Sequence, residues 1–89
     1  MKIKLELFGA SRDLSDKGHL EIEIQNKASI DDLRNEIIKY IDKNFQGNEN
    51  FIKIVKSSAF CSENNEIISD NYKITKDQKI GIIPPIGGG

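Results

Sequence analysis

Strict alternation opens the chain. In KIKLELF (Lys2–Phe8), Ile3, Leu5 and Leu7 fall on one side, and Lys2, Lys4, Glu6 and Phe8 on the other. That two-residue period belongs to a strand with one face buried. HLEIEIQ (His19–Gln25) repeats it, with Leu20, Ile22 and Ile24 inward and His19 on the polar side. The intervening GASRDLSDKG (Gly9–Gly18) is rich in turn formers and reads as a connection. A hairpin is predicted.

The period then changes. In SIDDLRNEIIKYIDKNF (Ser29–Phe45), Ile30, Leu33, Ile37, Tyr40 and Ile41 form one helical stripe. Ser29 is a natural N-cap, and Asp32 three positions later can complete a capping box. Asp31 and Asp32 also suit the positive end of the helix dipole. QGNEN (Gln46–Asn50) ends the helix, with Gly47 free to take the left-handed conformation.

Beyond it, FIKIVK (Phe51–Lys56) reads as a strand, which SSAFCS extends or follows with another. ENNE (Glu63–Glu66) signals a turn before the apolar pair Ile67 and Ile68. SDNYKITKDQ looks irregular, with Tyr72 and Ile74 as anchors into the core, and KIGII (Lys79–Ile83) is a last strand. Pro84 ends it, because proline has no N–H to give a ladder. Two strands, one helix and further strands make an α+β domain in which a single main helix covers one face of a mixed sheet. The order matches a ubiquitin-like β-grasp, where first and last strands commonly lie side by side in the middle. Residues 1–83 form the domain, and residues 84–89 an extended tail.

Composition narrows the function. The 89 residues allow one domain with one modest core. Thirteen basic and 14 acidic residues leave a net charge of −1, without the basic footprint of a nucleic-acid binder. The many carboxylates read as a mixed, solvated surface. No apolar run approaches the roughly 20 residues that span a bilayer, and the alternating amino end is not a signal peptide. One cysteine permits no internal disulfide and makes an intracellular, cytoplasmic location the default. Nor can one Cys and one His supply the four ligands of an iron–sulfur cluster or structural zinc, so no metal site is expected. Cys61 reads as a small buried or strand residue, His19 as solvated, and Arg12 with Asp13 as a pair anchoring the first loop, with contact to a partner as the alternative. A phosphate-binding loop is lacking. An active site built from this chain's side chains alone is not expected.

The last six residues, Pro84-Pro85-Ile86-Gly87-Gly88-Gly89, are different. The two prolines favour a stiff, extended path. The glycines offer no Cβ, so a narrow channel can admit them. Fully extended, the segment reaches roughly 20 Å at about 3.3 Å per residue. That is enough to carry the Gly89 α-carboxylate into another protein's cleft.

With that tail, the chain resembles the MoaD/ThiS sulfur carriers, most of all the small subunits of molybdopterin synthase. LFGASRDL (Leu7–Leu14) resembles the family's first-strand signature, and ASIDDLRNEI (Ala28–Ile37) its helix start. ITKDQKIGIIPPIGGG resembles its closing turn, last strand and glycine tail. The family often has DGD where this chain has Lys76-Asp77-Gln78, and aromatics where it has Ile82 and Ile83. The resemblance implies that a ubiquitin-activating-like adenylyltransferase, using ATP and magnesium of its own, adenylates Gly89. A sulfur donor protein then leaves a thiocarboxylate there, and the tail enters the synthase large subunit to build the molybdopterin dithiolene. The chain would be the sulfur-donating subunit, not catalytic alone, and would hold no stable cofactor. Gly87 and Gly88 would thread behind Gly89, aimed by Pro84 and Pro85. A carrier for thiamine thiazole or another sulfur pathway, a ubiquitin-like modifier, and a plain binding module remain alternatives.

Alternation adds a docking surface. With Ile80 and Ile82 inward, Ile83 faces the opposite way, as Phe8 does. If first and last strands are parallel neighbours, Phe8 and Ile83 share the open face at the tail's exit, and with Ile86 they form an apolar patch for the partner.

Overall fold

A computed structural model describes residues 1–85 of the chain. The elements run β1 (Lys2–Leu7), a 3₁₀ turn (Gly9–Leu14), β2 (His19–Glu23), β3 (Ala28–Ser29), α1 (Ile30–Asn44), α2 (Glu49–Ser57), β4 (Ala59–Ser62), β5 (Ile67–Ile68), β6 (Lys73–Ile74) and β7 (Gln78–Ile83). Five strands form one mixed sheet in the order β2-β1-β7-β4-β5, and β3 pairs with β6 apart from it. The expected hairpin is present, with Leu5 opposite Leu20. At the centre β1 and β7 run parallel, Leu5 beside Ile80 and Leu7 beside Ile82.

The core is where the two periods meet. Ile3, Leu5, Ile80, Ile82 and Phe60 point from the sheet toward Ile30, Leu33, Ile37 and Ile41 of α1, all nearly or wholly removed from solvent. Burying each such side chain contributes roughly 1.5–3 kcal/mol. α1 begins as its sequence predicts. The Ser29 hydroxyl accepts from the Asp32 N–H at 3.1 Å, and Asp32 accepts from the Ser29 N–H at 2.9 Å. That bond to ionised Asp32 holds its carboxyl below the ordinary carboxylate range, with the Ser29 hydroxyl adding to the effect. Left-handed Gln46 and Gly47 stop the helix, and the Gly47 N–H reaches back to the Ile41 carbonyl.

Three expectations are corrected. FIKIVK is helix rather than strand: Asn48 caps α2 by accepting from the Asn50 and Phe51 N–H groups. Phe51 and Val55, four apart, turn toward the core. Arg34 of α1 then closes the other end of α2. Its Nη1 donates to the carbonyls of Val55, Lys56 and Ser58 at 3.0 Å each, and Nη2 reaches Asp70 at 2.6 Å. The guanidinium also lies 5.0 Å from the Phe60 ring centre. Tyr72 is 39% exposed and its ring lies outside the core, whereas Ile74 is fully buried. Arg12 and Asp13 are both exposed on the 3₁₀ turn and form no ion pair among the described residues.

Candidate functional site

α1, with α2 packed beside it, covers one face of the sheet and leaves the other open. On that open face lie the outward positions of the strands: Glu6 of β1, Lys79, Gly81 and Ile83 of β7, and Cys61 of β4. Register divides the face in two. Along β1 the face is charged: Lys2 at its start pairs with Glu21 at 3.7 Å, and Glu6, two residues before Phe8, with Lys79 at 3.6 Å. Toward its end the lining turns apolar, with Phe8 42% exposed and Ile83 half-buried. Ala59 sits beside Ile83, and Ile67, 67% exposed, beside Cys61. The parallel β1–β7 pairing thus brings Phe8 and Ile83 to the same end of the same face.

The chain leaves the domain at that end. Pro84 is buried and Pro85 exposed. The Pro84 ring lies over Gly9, 3.9 Å from where a Cβ of that residue would stand. Gly9 has φ +55°, a left-handed conformation that glycine takes without strain. The next turn of backbone is fixed by Ser11, which is buried and donates to the Phe8 carbonyl from both Oγ (2.6 Å) and N–H (3.2 Å). One corner, Phe8 to Ser11, therefore holds both the exposed aromatic and the first tail proline. Ile86, Gly87, Gly88 and Gly89 lie outside the described residues.

The remaining chemistry is sparse. His19 is half-buried on β2, and Cys61 is a buried free thiol. Among the described residues no three His, Cys, Asp or Glu side chains gather as a metal site. No helix there is long and apolar enough to cross a membrane. A groove between the end of β2 and α1, lined by Glu23, Ile24, Lys27, Asp32, Ile38 and Lys39 among others, sits at the opposite end of β1 from the tail.

Sequence reasoning brought Phe8, Ile83 and the prolines to this site but missed four contributors. In the sequence Gly9 and Ser11 are ordinary turn formers, and Gly81 and Cys61 ordinary strand positions. Only Gly81, a glycine inside an apolar strand, carried a signal that another group approaches closely.

Comparison with known proteins agrees with this architecture. A provisionally assigned molybdopterin converting factor subunit 1 from Pyrococcus furiosus superposes with a TM-score of 0.70 at 24% identity, over 97% of this chain and 99% of that one. SAMP1 from Haloferax volcanii gives 0.67 at 12% identity, with both chains fully covered. The ubiquitin of Caldiarchaeum subterraneum gives 0.60 at 18% identity, over 100% of this chain and 98% of that one. These likenesses establish the ubiquitin-like β-grasp fold. No curated protein sequence matches significantly. The model of the ThiS family matches residues 5–89, from the middle of β1 through Gly89, and the chain belongs to that family.

Proposed function

We propose that this chain is a sulfur carrier that serves as the small subunit of a molybdopterin synthase. The observation that carries the reading is an apolar patch, Phe8 with Ile83, at the root of a Pro-Pro-Ile-Gly-Gly-Gly segment. A body that docks beside its own tail fixes where the tail enters its partner. The Pro84-Pro85 pair and the likeness to a converting-factor subunit favour the molybdenum branch over thiazole synthesis.

In the proposed chemistry, the Gly89 carboxylate attacks the α-phosphorus of ATP on an adenylyltransferase, and pyrophosphate leaves. Sulfide-level sulfur from a donor protein then attacks the acyl-adenylate carbon, AMP departs, and a thiocarboxylate remains. That sulfur is the nucleophile delivered to the pterin precursor in the large subunit, so covalent catalysis is carried on a separate protein. Pro84 and Pro85 aim the tail, Gly87 and Gly88 thread it, and Phe8, Ile83 and Ile86 seat the body. Magnesium, ATP and the acid–base groups belong to the partners.

Intact mass of the protein purified from its cells tests the reading. Replacement of one terminal oxygen by sulfur is expected, together with co-purification of a synthase large subunit. Isopeptide-linked adducts would indicate a modifier, and a thiazole synthase partner the other branch. Sulfur transfer that survives deletion of Gly88 and Gly89 would defeat the carrier reading altogether.

A further inference from the structure

Gly81 occupies the middle of the open face, with Glu6 of β1 on one side and Cys61 of β4 on the other. It lies outside the left-handed region, so conformation does not call for glycine, and a glycine inside a strand weakens it. Space does call for it. A Cβ at 81 would stand 2.8 Å from Phe8 Cε2, 2.8 Å from Cys61 Sγ and 3.5 Å from Phe8 Cδ2, where carbon contacts settle near about 3.5–4.0 Å. The volume of the missing side chain is filled by the edge of the phenyl ring and by the thiol.

We propose that Gly81 is a positioning residue: its bare backbone lets the Phe8 ring lie down on the sheet, giving a low apolar floor that a partner protein meets beside the tail. The inference rests on the docking role given to Phe8 above. A side chain at 81 presses on the thiol and the ring alike, at 2.8 Å each, and of the two the ring has the room to move. Cys61 is 6% exposed and packed between strands, whereas Phe8 is 42% exposed with one side free. The Phe8 backbone cannot follow, because Ser11 holds its carbonyl with two hydrogen bonds. The ring therefore lifts, the floor becomes a ridge, and a partner shaped for the floor is held away from the tail root. The surface that fits is itself apolar and of low relief, next to the mouth of a channel narrow enough to select glycine.

The test is a double-mutant cycle of Phe8→Ala and Gly81→Ala, with affinity for the purified synthase large subunit from the same genome read by calorimetry. Native circular dichroism checks each fold. Gly81→Ala alone is expected to weaken binding roughly tenfold, as loss of a central aromatic contact does. Added to Phe8→Ala it should change binding by less than about twofold, since the two act as one. Proton contacts between the Phe8 ring and the residue-81 backbone, seen by NMR in the native chain, should vanish in Gly81→Ala. Native affinity in Gly81→Ala while Phe8→Ala is weakened, or losses that simply add, overturns the proposal and leaves the docking reading standing. Native affinity in Phe8→Ala defeats the docking reading, and this inference with it. Should Gly81→Ala not fold, Gly81→Ala with Cys61→Ala replaces it. That pair removes the clash with the thiol, keeps the clash with the ring, and carries the same expectations.

Discussion

Replacing Arg34 by methionine should be among the most damaging single changes in this protein. Its side chain is 11% exposed, and one guanidinium nitrogen serves the carbonyls of Val55, Lys56 and Ser58. Those carbonyls lie at the last turn and C-cap of α2, where intrahelical partners run out, although Val55 also accepts from the Ser58 N–H at 3.3 Å. Methionine keeps most of the length and apolar stem but donates nothing. A charge-assisted hydrogen bond contributes roughly 1.5–3 kcal/mol. Nη1 has two hydrogens for three acceptors, so no more than two full bonds are lost there. Lys56 and Asp70 lie at the surface, where water replaces much of what they lose. The net cost is about 2–4 kcal/mol, a large part of the roughly 5–15 kcal/mol that holds a domain together. For a chain of this size that is a fall in melting temperature on the order of 10–25 °C. Thermal melts and urea titrations of native, Arg34→Met and Arg34→Lys measure it. The lysine variant should fall between, because one ammonium cannot reproduce the planar fork. A methionine variant that melts within about 2 °C of native would refute the argument, since that shift is worth less than one ordinary hydrogen bond.

Other outcomes follow from the corner, the cap and the open face. At Gly9, valine should cost about 1–2 kcal/mol in urea unfolding because φ is positive. Asparagine, which tolerates that region, should cost less; equal losses would show that space rather than conformation sets the site. Ser29→Ala should cost about 1 kcal/mol by removing one arm of the capping box. Asp32 is held below its ordinary pKa, so its contribution is full above about pH 3.8 and is lost as the pH falls through the lowered value. The urea midpoints of native and Asp32→Ala should therefore converge below that pH, and a gap that persists would place the effect outside the carboxylate's charge. Phe8→Ser with Ile83→Ser should weaken large-subunit binding while the melting temperature stays near native, and unchanged affinity would remove the patch from the interface.

What the sequence disclosed depended on how local each cause was. β1, β2, α1 and β7 carry long, clean periods, and their faces could be assigned from alternation alone. The capping box was legible because both partners lie within three residues. FIKIVK misled because a nine-residue helix offers little more than two turns, and its β-branched residues imitate a strand. The Asn48 cap was the cue that favoured helix. Tyr72 failed differently: whether an isolated aromatic reaches the core depends on how an irregular segment is laid, and no period reports that. The shared end of Phe8 and Ile83 could be inferred once β1 and β7 were taken as parallel. The closeness of Phe8, Gly81 and Cys61 could not, because it joins three segments through side-chain packing. Gly9 is hidden for the same reason, since its contact exists only where the corner meets Pro84; Ser11 bonds a carbonyl three residues back, but one serine among several turn formers does not show which of them is buried.

The central place of β7 also has a mechanical side. On the proposed carrier reading, a tail drawn into a partner's cleft and withdrawn again would pull on whatever anchors it. Here the anchor is a strand bonded on both flanks, in register with five residues of β1 and four of β4. Tension along Pro84 and Pro85 runs nearly lengthwise through β7, across ladder bonds set sideways to it. Both ladders then share the load in shear, where an edge strand or a frayed end would give way one bond at a time, as a zipper does. A pull from that end would have to break both ladders together.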